Sequence, residues 1–241
     1  MLTQALARMI QAHGGILIAG APVARILTER GRAVGAETTG GMRVTARAVV
    51  SGAHIHTTMG LLNGEIPHQA RKLAQNSRIG NGFGMIVRYA MSELPRYSAL
   101  PAQVQDEAGV GPEHRALQFI CPDMAYLERA YGDYLGGEPS RDPALISMTF
   151  SAVDPTLAPE GKHTLFLWGQ YFPYELARGR SWDDIGEAEG ERMLDKLAEY
   201  APNVKQAVIG KLVETPLFLE RELGLLRGNV MHLEMSIDQM F

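Results

Sequence analysis

Residues 144–150 read ALISMTF and residues 164–170 read TLFLWGQ, and these two apolar runs decide the fold of the larger part of the chain. Each run has the length and the aliphatic and aromatic content of a buried β-strand. The turn-forming pair Asp154-Pro155 and the sequence PEGK at 159–162 lie between them. The sequence therefore predicts two neighbouring strands of one sheet.

Further strands and helices are predicted on both sides of this pair. Gly84–Met91 and Leu117–Cys121 have strand character. Asp123 is the expected cap of a helix that runs to Leu135, Glu187–Tyr200 has helical apolar spacing, and Thr215-Pro216 supplies a cap and a first-turn proline. Strands and helices thus alternate, which predicts an α/β or α+β fold.

The first 54 residues have a different pattern. An amphipathic helix is predicted over Leu2–His13, and Gly14-Gly15 provides the backbone freedom that ends it. A three-stranded meander is predicted between residues 23 and 46, with short strands at Ile16–Ile18 and Ala48–Ser51 on either side. We therefore place a domain boundary between residues 54 and 55.

Composition limits the classes of function. The 241 residues carry a net charge of −4, and 46% of them are hydrophobic. Since no cluster of Lys and Arg is present, the sequence argues against nucleic acid as a partner. There is no apolar run of roughly 18 residues and no signal-peptide pattern, so no integral membrane segment is expected. A single cysteine, Cys121, fits a soluble protein of the reducing cytoplasm.

Several motifs resemble one flavoprotein family. In the first half these are His13-Gly14-Gly15-Ile16, VARIL at 23–27 and GRAVGA at 31–36. In the second half they are the runs SAVDPTLAPEGKHT at 151–164, QYFPY at 170–174 and DQMF at 238–241. Together these motifs resemble the phytoene dehydrogenase-like FAD-dependent oxidoreductases of the glutathione reductase-like superfamily, over essentially the whole chain.

This resemblance implies an architecture. Residues 1–54 would be a partial FAD-binding domain made of a helix, a Gly-Gly turn and a β-meander. Residues 55–241 would be a substrate-binding domain of mixed sheet and helix, truncated before the C-terminal FAD motif. The chain has no strand followed by Gly-x-Gly-x-x-Gly and a helix, the motif that seats the FAD pyrophosphate. The chain is thus expected to be an internal stretch of a longer enzyme and inactive alone.

The resemblance also implies site residues. FAD in the complete protein would meet the backbone of Val23 and a turn formed by Ser51, Gly52 and Ala53. His232 would lie near the flavin, where an imidazole can orient substrate or transfer a proton. A hydrogen-bonded structural histidine is the alternative for that position, and Asp238 and Gln239 fit either site closure or a turn.

Four aromatic residues are candidates for a substrate pocket. They lie on or after the predicted strand at 164–170 and are Trp168, Tyr171, Phe172 and Tyr174. Aromatic side chains can wall an apolar pocket beside a flavin, but they are also common in ordinary cores. Arg88 fits contact with an acidic substrate group or a solvent-facing position. No metal site is predicted, because His54-Ile55-His56 offers only two ligands and is expected to be a polar loop.

The sequence leaves three functions open. The first is part of an FAD-dependent oxidoreductase acting on an apolar or amine-type small molecule. The second is a noncatalytic ligand- or partner-binding module, and the third is a structural domain. A homo-oligomer or a partner that supplies the missing FAD domain is compatible with each of them.

Overall fold

The computed structural model describes residues 2–62, 66–100, 106 and 109–240. The chain forms two compact units, Met1–Ser77 and Arg78–Phe241. Helices and sheets occur in both units, so the predicted mixed α/β class is confirmed. Within the described ranges, every helix is too short or too polar to cross a bilayer. Phe241, the last residue of the DQMF motif, lies outside the described residues.

The described residues of the first unit form one small sheet and three helices. Its strands are β1 (Val23–Glu29), β2 (Arg32–Thr38) and β3 (Arg43–Thr45), in that order and antiparallel. Its helices are α1 (Leu2–Ala12), α2 (Ile55–Leu61) and α3 (His68–Asn76).

The predicted meander is therefore confirmed, and its turn has a clear cause. Arg30 and Gly31 join β1 to β2 with φ angles of 49° and 75°. Positive φ at both central residues is the geometry of the two-residue turn that matches the twist of antiparallel strands. Gly35 lets β2 approach β3 closely, because a Cβ there would lie 2.1 Å from the Val44 carbonyl oxygen.

Three predictions for this unit are wrong. Ile16–Ile18 and Ala48–Ser51 are not strands. Ile16 is 85% exposed and Val50 94% exposed, and no strand of the described chain pairs with either segment. A strand needs a hydrogen-bonded neighbour, which an apolar run alone does not supply. His54-Ile55-His56 is not a loop, since α2 begins at Ile55 with the His54 side chain as its cap.

The second unit is built on a five-stranded antiparallel sheet in the order β5-β6-β7-β4-β8. The strands are β4 (Gly84–Met91), β5 (Gln118–Ile120), β6 (Leu145–Met148), β7 (His163–Gln170) and β8 (Val208–Glu214). The helices are α4 (Pro112–Arg115), α5 (Met124–Leu135), α6 (Trp182–Ala198), α7 (Val204–Ala207), α8 (Pro216–Leu223) and α9 (Ile237–Met240). The strands predicted at 144–150 and 164–170 are neighbours, as expected from their sequences.

Side chains alternate between the two faces of this sheet. On one face, residues such as Val87 on β4 and Leu167 on β7 are fully buried in the core with Met193 and Leu197 of α6. On the other face the paired rows are Gly84, Ile86 and Arg88 of β4 opposite Gln170, Trp168 and Phe166 of β7. We call this second face the outer face of the sheet. It is the face that matters for the site.

The helices of this unit begin at the caps that their sequences specify. The Asp123 carboxylate accepts a hydrogen bond from the Tyr126 amide, and the Thr215 hydroxyl accepts one from the Phe218 amide. Both helices were predicted from these caps. The helix α6 begins at Trp182, five residues before the predicted start, because Ser181 caps it and the acidic side chains of its first turn favour a helix N-terminus.

Candidate functional site

The candidate site begins where β4 starts and β7 ends. Immediately after β7, Tyr171 adopts a φ of 64°, which is unusual for an aromatic residue. Its amide donates to the Phe83 carbonyl oxygen at 2.9 Å, which fixes the turn. Continued alternation from β7 would place Tyr171 on the core face and Phe172 on the outer face. The left-handed conformation breaks this alternation, so that Phe172 is buried in the core and Tyr171 lies outside it. Such backbone strain is concentrated at functional sites in proteins.

Tyr171 forms a cluster with two tyrosines of α5. Its ring centroid lies 5.4 Å from that of Tyr131 and 6.0 Å from that of Tyr134. Tyr131 and Tyr134 are three residues apart, which places them on the same face of the helix, with centroids 5.9 Å apart. The Tyr134 hydroxyl accepts from the Asn81 amide at 3.3 Å, which ties α5 to the segment before β4.

A C-terminal segment closes the other side. The Arg78 guanidinium bonds Glu234 at 2.7 Å, Ser236 at 2.8 Å and Asp238 at 2.9 Å. Gln239 accepts from the Arg78 amide and donates to its carbonyl oxygen. The pairing with Arg78 and Ser236 lowers the pKa of Asp238 to about 2. Asp238 and Gln239 therefore hold this segment in place beside the tyrosines.

These elements enclose a cavity of about 270 Å³, which we call the tyrosine pocket. It is lined by Gly80, Gly82, Phe83, Tyr131, Tyr134, Tyr171, Asn229, Met231, Leu233, Glu234, Met235 and Ser236. Burial raises the pKa of Tyr171 and of Tyr134, so both phenols are neutral at physiological pH. Aromatic rings and flexible methionines form a surface suited to an apolar ligand.

The tyrosine pocket continues onto the outer face of the sheet. Phe83 lines the pocket and also packs on Trp168, with ring centroids 5.8 Å apart. Gly84 makes room for the indole, since a Cβ there would lie 2.4 Å from Trp168 Nε1. Two residues before Trp168 on β7, the Phe166 ring lies under the Arg88 guanidinium. We call the row of rings from Phe166 through Trp168 and Phe83 to the tyrosine pocket the aromatic tract. Between Phe166 and Tyr171 it extends over five residue steps, or about 17 Å of strand.

Two polar side chains of β7 lie on the outer face, Trp168 and Gln170. Trp168 Nε1 and Gln170 Nε2 are buried and have no hydrogen-bond partner in the described chain. Both atoms are covered by other protein atoms, so neither is open to a ligand.

The structure separates the four aromatic residues of the sequence prediction. Tyr171 lines the tyrosine pocket, and Trp168 is joined to it through Phe83. Phe172 is fully buried in the core against Trp182. The Tyr174 hydroxyl donates to Glu220 and its ring lies under Arg227, so it belongs to a polar cluster outside the pocket lining.

His232 lies in the segment that closes the tyrosine pocket. Its neighbours Met231 and Leu233 line the cavity, whereas His232 is exposed and adopts a φ of 66°. Its amide donates to the Asn229 carbonyl oxygen at 3.1 Å. A catalytic role of the His232 imidazole therefore remains a prediction.

The residues predicted to contact FAD lie in the first unit. Val23 is 42% exposed at the start of β1, and a Cβ on Gly52 would meet no atom within 4 Å. Both positions thus have room for close backbone contact with a cofactor. The Ser51 hydroxyl instead bonds Thr58 at 2.7 Å and accepts from the Ala53 amide at 3.3 Å. The Ser51 hydroxyl and the Ala53 amide therefore stabilise the local turn.

Sequence reasoning missed most of the pocket. Phe83, Tyr131 and Tyr134 were not singled out, and neither were the two methionines. The available signal was the pair of tyrosines three residues apart on a helix that had been predicted. Their meeting with Tyr171 depends on tertiary structure, which no local pattern reveals.

Comparison with known proteins finds relatives of this chain. No protein-family model matches the chain. Pyridine nucleotide-disulfide oxidoreductase domain-containing protein 2 of Rattus norvegicus is 32% identical over 100% of this chain and 42% of its own length. A phytoene desaturase (neurosporene-forming) of Cereibacter sphaeroides is 26% identical over 92% of this chain and 41% of its own length. The chain spans about two fifths of the length of these relatives.

A solved structure shows the same fold. An oxidoreductase from Methanosarcina mazei superposes with a TM-score of 0.57 and 21% identity, over 87% of this chain and 40% of its own. At this identity the likeness concerns the fold alone. Over the segment that it spans, the chain is similar to pyridine nucleotide-disulfide oxidoreductase domain-containing protein 2 and to a phytoene desaturase, in agreement with the resemblance that the sequence motifs predicted.

Proposed function

We propose that this chain is part of an FAD-dependent oxidoreductase and that the aromatic tract holds its substrate, an elongated and largely apolar molecule. The observation that carries the proposal is the continuity of apolar surface from the tyrosine pocket through Phe83 to Trp168. Pockets for small molecules are concave, mostly apolar and furnished with few polar groups, and this one has that character.

The chain's own residues would position the substrate and exclude water. The rings of Tyr131, Tyr134 and Tyr171 offer rigid apolar faces, and the segment held by Arg78 closes over them. In the complete protein a bound FAD would accept a hydride from a C–H or C–N bond of the substrate. The backbone at Val23 and Gly52 has room for contact with that cofactor.

A second candidate is a noncatalytic module that binds the same apolar ligand without flavin. The hydrogen bonds inside the Ser51–Ala53 turn favour it, because they occupy the Ser51 hydroxyl and the Ala53 amide that a phosphate would need. Retention of flavin by this chain would favour the oxidoreductase, since only that candidate requires a cofactor contact.

The test uses the purified 241-residue chain. It is incubated with FAD, desalted and examined for the visible absorption of bound flavin. It is then titrated with dodecan-1-ol, with the fluorescence of its two tryptophans as the signal, and both tryptophans lie in the second unit. Saturable binding with retained flavin supports the oxidoreductase, and saturable binding without flavin supports the apolar ligand site that both candidates share. No binding of the alcohol contradicts both.

A matched pair of variants on α5 locates the binding. Tyr131→Ala removes a ring of the tyrosine pocket and is expected to weaken dodecan-1-ol binding at least roughly fivefold, from the loss of ring contact area. Met124→Ala removes an apolar side chain that is 69% exposed on the same helix and outside the pocket. It is expected to bind like the parent chain.

A further inference from the structure

Arg88 occupies an unusual position on the outer face of the sheet. It lies on β4, an interior strand of the sheet, with Phe166 directly opposite on β7 and Leu212 opposite on β8. Its Cζ atom lies 5.1 Å from the centroid of the Phe166 ring. A single guanidinium is thus set among apolar side chains at one end of the aromatic tract.

A buried carboxylate holds the guanidinium in place. Arg88 Nε donates to Glu214 Oε2 at 2.9 Å, and the Glu214 side chain is only 8% exposed. The Arg88 side chain is 51% exposed, and its two terminal nitrogens donate to no residue of the described chain. An arginine fixed through Nε and by stacking presents its remaining fork of donors in one orientation, which is the geometry that binds a carboxylate bidentately.

The charge of Arg88 decides which polar group suits this end of the aromatic tract. The positive charge and the remaining N–H donors of Arg88 disfavour an ammonium ligand, which would bring further donors and a like charge. They favour a ligand whose polar atoms are oxygens that accept hydrogen bonds.

We propose that the ligand of the aromatic tract is an elongated amphipathic carboxylic acid. Its carboxylate is bound by Arg88, and its apolar chain follows Phe166, Trp168 and Phe83 into the tyrosine pocket. This inference rests on the proposed function and adds the class of ligand. A monoanion fits better than a phosphate dianion, because Glu214 already offsets part of the charge of this one cation.

The test compares two probes of equal chain length, dodecanoate and dodecan-1-ol, by tryptophan fluorescence titration of the full chain. The parent chain is expected to bind dodecanoate more tightly by roughly tenfold, the value of a charge-assisted hydrogen bond. Arg88→Gln should remove that advantage and leave dodecan-1-ol binding unchanged. Glu214→Gln should tighten dodecanoate binding by about threefold, because it removes a neighbouring negative charge.

Controls keep the result interpretable. Arg88→Gln leaves Glu214 buried without its partner, which can destabilise the sheet. The double variant Arg88→Gln with Glu214→Gln removes both charges and should also lose the preference for the acid. Arg96→Gln changes another exposed arginine with a single carboxylate partner, Glu93, and should leave the preference intact.

The outcomes separate the two proposals. If the alcohol binds and the acid binds no better, the carboxylate inference is overturned and the apolar site stands. The inference is also overturned if Arg96→Gln abolishes the preference as fully as Arg88→Gln does, or if Glu214→Gln weakens binding of the acid. If neither probe binds, the proposed function fails together with the inference.

Discussion

Substitutions at the consecutive residues Tyr171 and Phe172 should have different consequences. Tyr171→Gly removes two ring contacts of about 0.5–1.5 kcal/mol each, together with part of a half-buried side chain. It also relieves about 1–2 kcal/mol of left-handed strain, because glycine accepts the φ of 64°. We expect the free energy of unfolding of the second unit to fall by about 2 kcal/mol or less.

Phe172→Ala should cost more. The Phe172 side chain is fully buried and packs on Trp182, and truncation of such a phenylalanine costs about 3–5 kcal/mol. The assay is urea denaturation followed by tryptophan fluorescence, since both tryptophans lie in the second unit. Dodecan-1-ol binding should be lost in Tyr171→Gly. If Tyr171→Gly destabilises the unit as much as Phe172→Ala, Tyr171 belongs to the core and the reasoning about the pocket is refuted.

Three further predictions concern stability and are checked by the same denaturation assay. Gly169→Ala places a Cβ 2.4 Å from Phe172 Cε2 and should cost about 1–3 kcal/mol, whereas Gly210→Ala on β8 meets no atom within 4 Å and serves as control. Thr215→Ala removes the cap of α8 and should cost about 1 kcal/mol, and an unchanged urea midpoint would contradict this. Burial, and secondarily His114, lowers the pKa of His163 below 6.5. The contribution of His163 to the free energy of unfolding should therefore be complete above pH 6.5 and decrease as the pH falls below this value, because the unfolded state binds the proton first. His163→Gln should flatten this pH dependence.

Local signals were sufficient for much of the second unit. The caps at Asp123 and Thr215 act through neighbouring amides, so their sequence positions alone placed the starts of α5 and α8. The strands at 144–150 and 164–170 are buried by one another and by α6, and their apolar runs reveal this. By contrast, Ile16–Ile18 has the composition of a strand but no partner strand in the described chain, and composition cannot supply one.

The site was less accessible to sequence reasoning. Alternation along β7 correctly places Trp168 on the outer face. Continued beyond the strand it would place Tyr171 in the core and Phe172 on the outer face, whereas Phe172 is in the core and Tyr171 lines the tyrosine pocket, because the positive φ at Tyr171 interrupts the period. The contribution of α5 depends on where that helix lies relative to the end of β7. Arg88 remained ambiguous in the sequence because its environment comes from Phe166 and Glu214, which are distant along the chain.

The measurement that tests the central claim most directly is photoaffinity labelling of the full chain with a dodecan-1-ol analogue that carries a diazirine in its alkyl chain, followed by peptide mass spectrometry. The account predicts labels on residues of the aromatic tract, foremost Phe83, Tyr131, Tyr171 and Met231, that excess dodecan-1-ol suppresses. Suppressible labels confined to a different cavity, such as the one lined by Arg115, Ser151 and Lys162, would contradict the assignment of the substrate site.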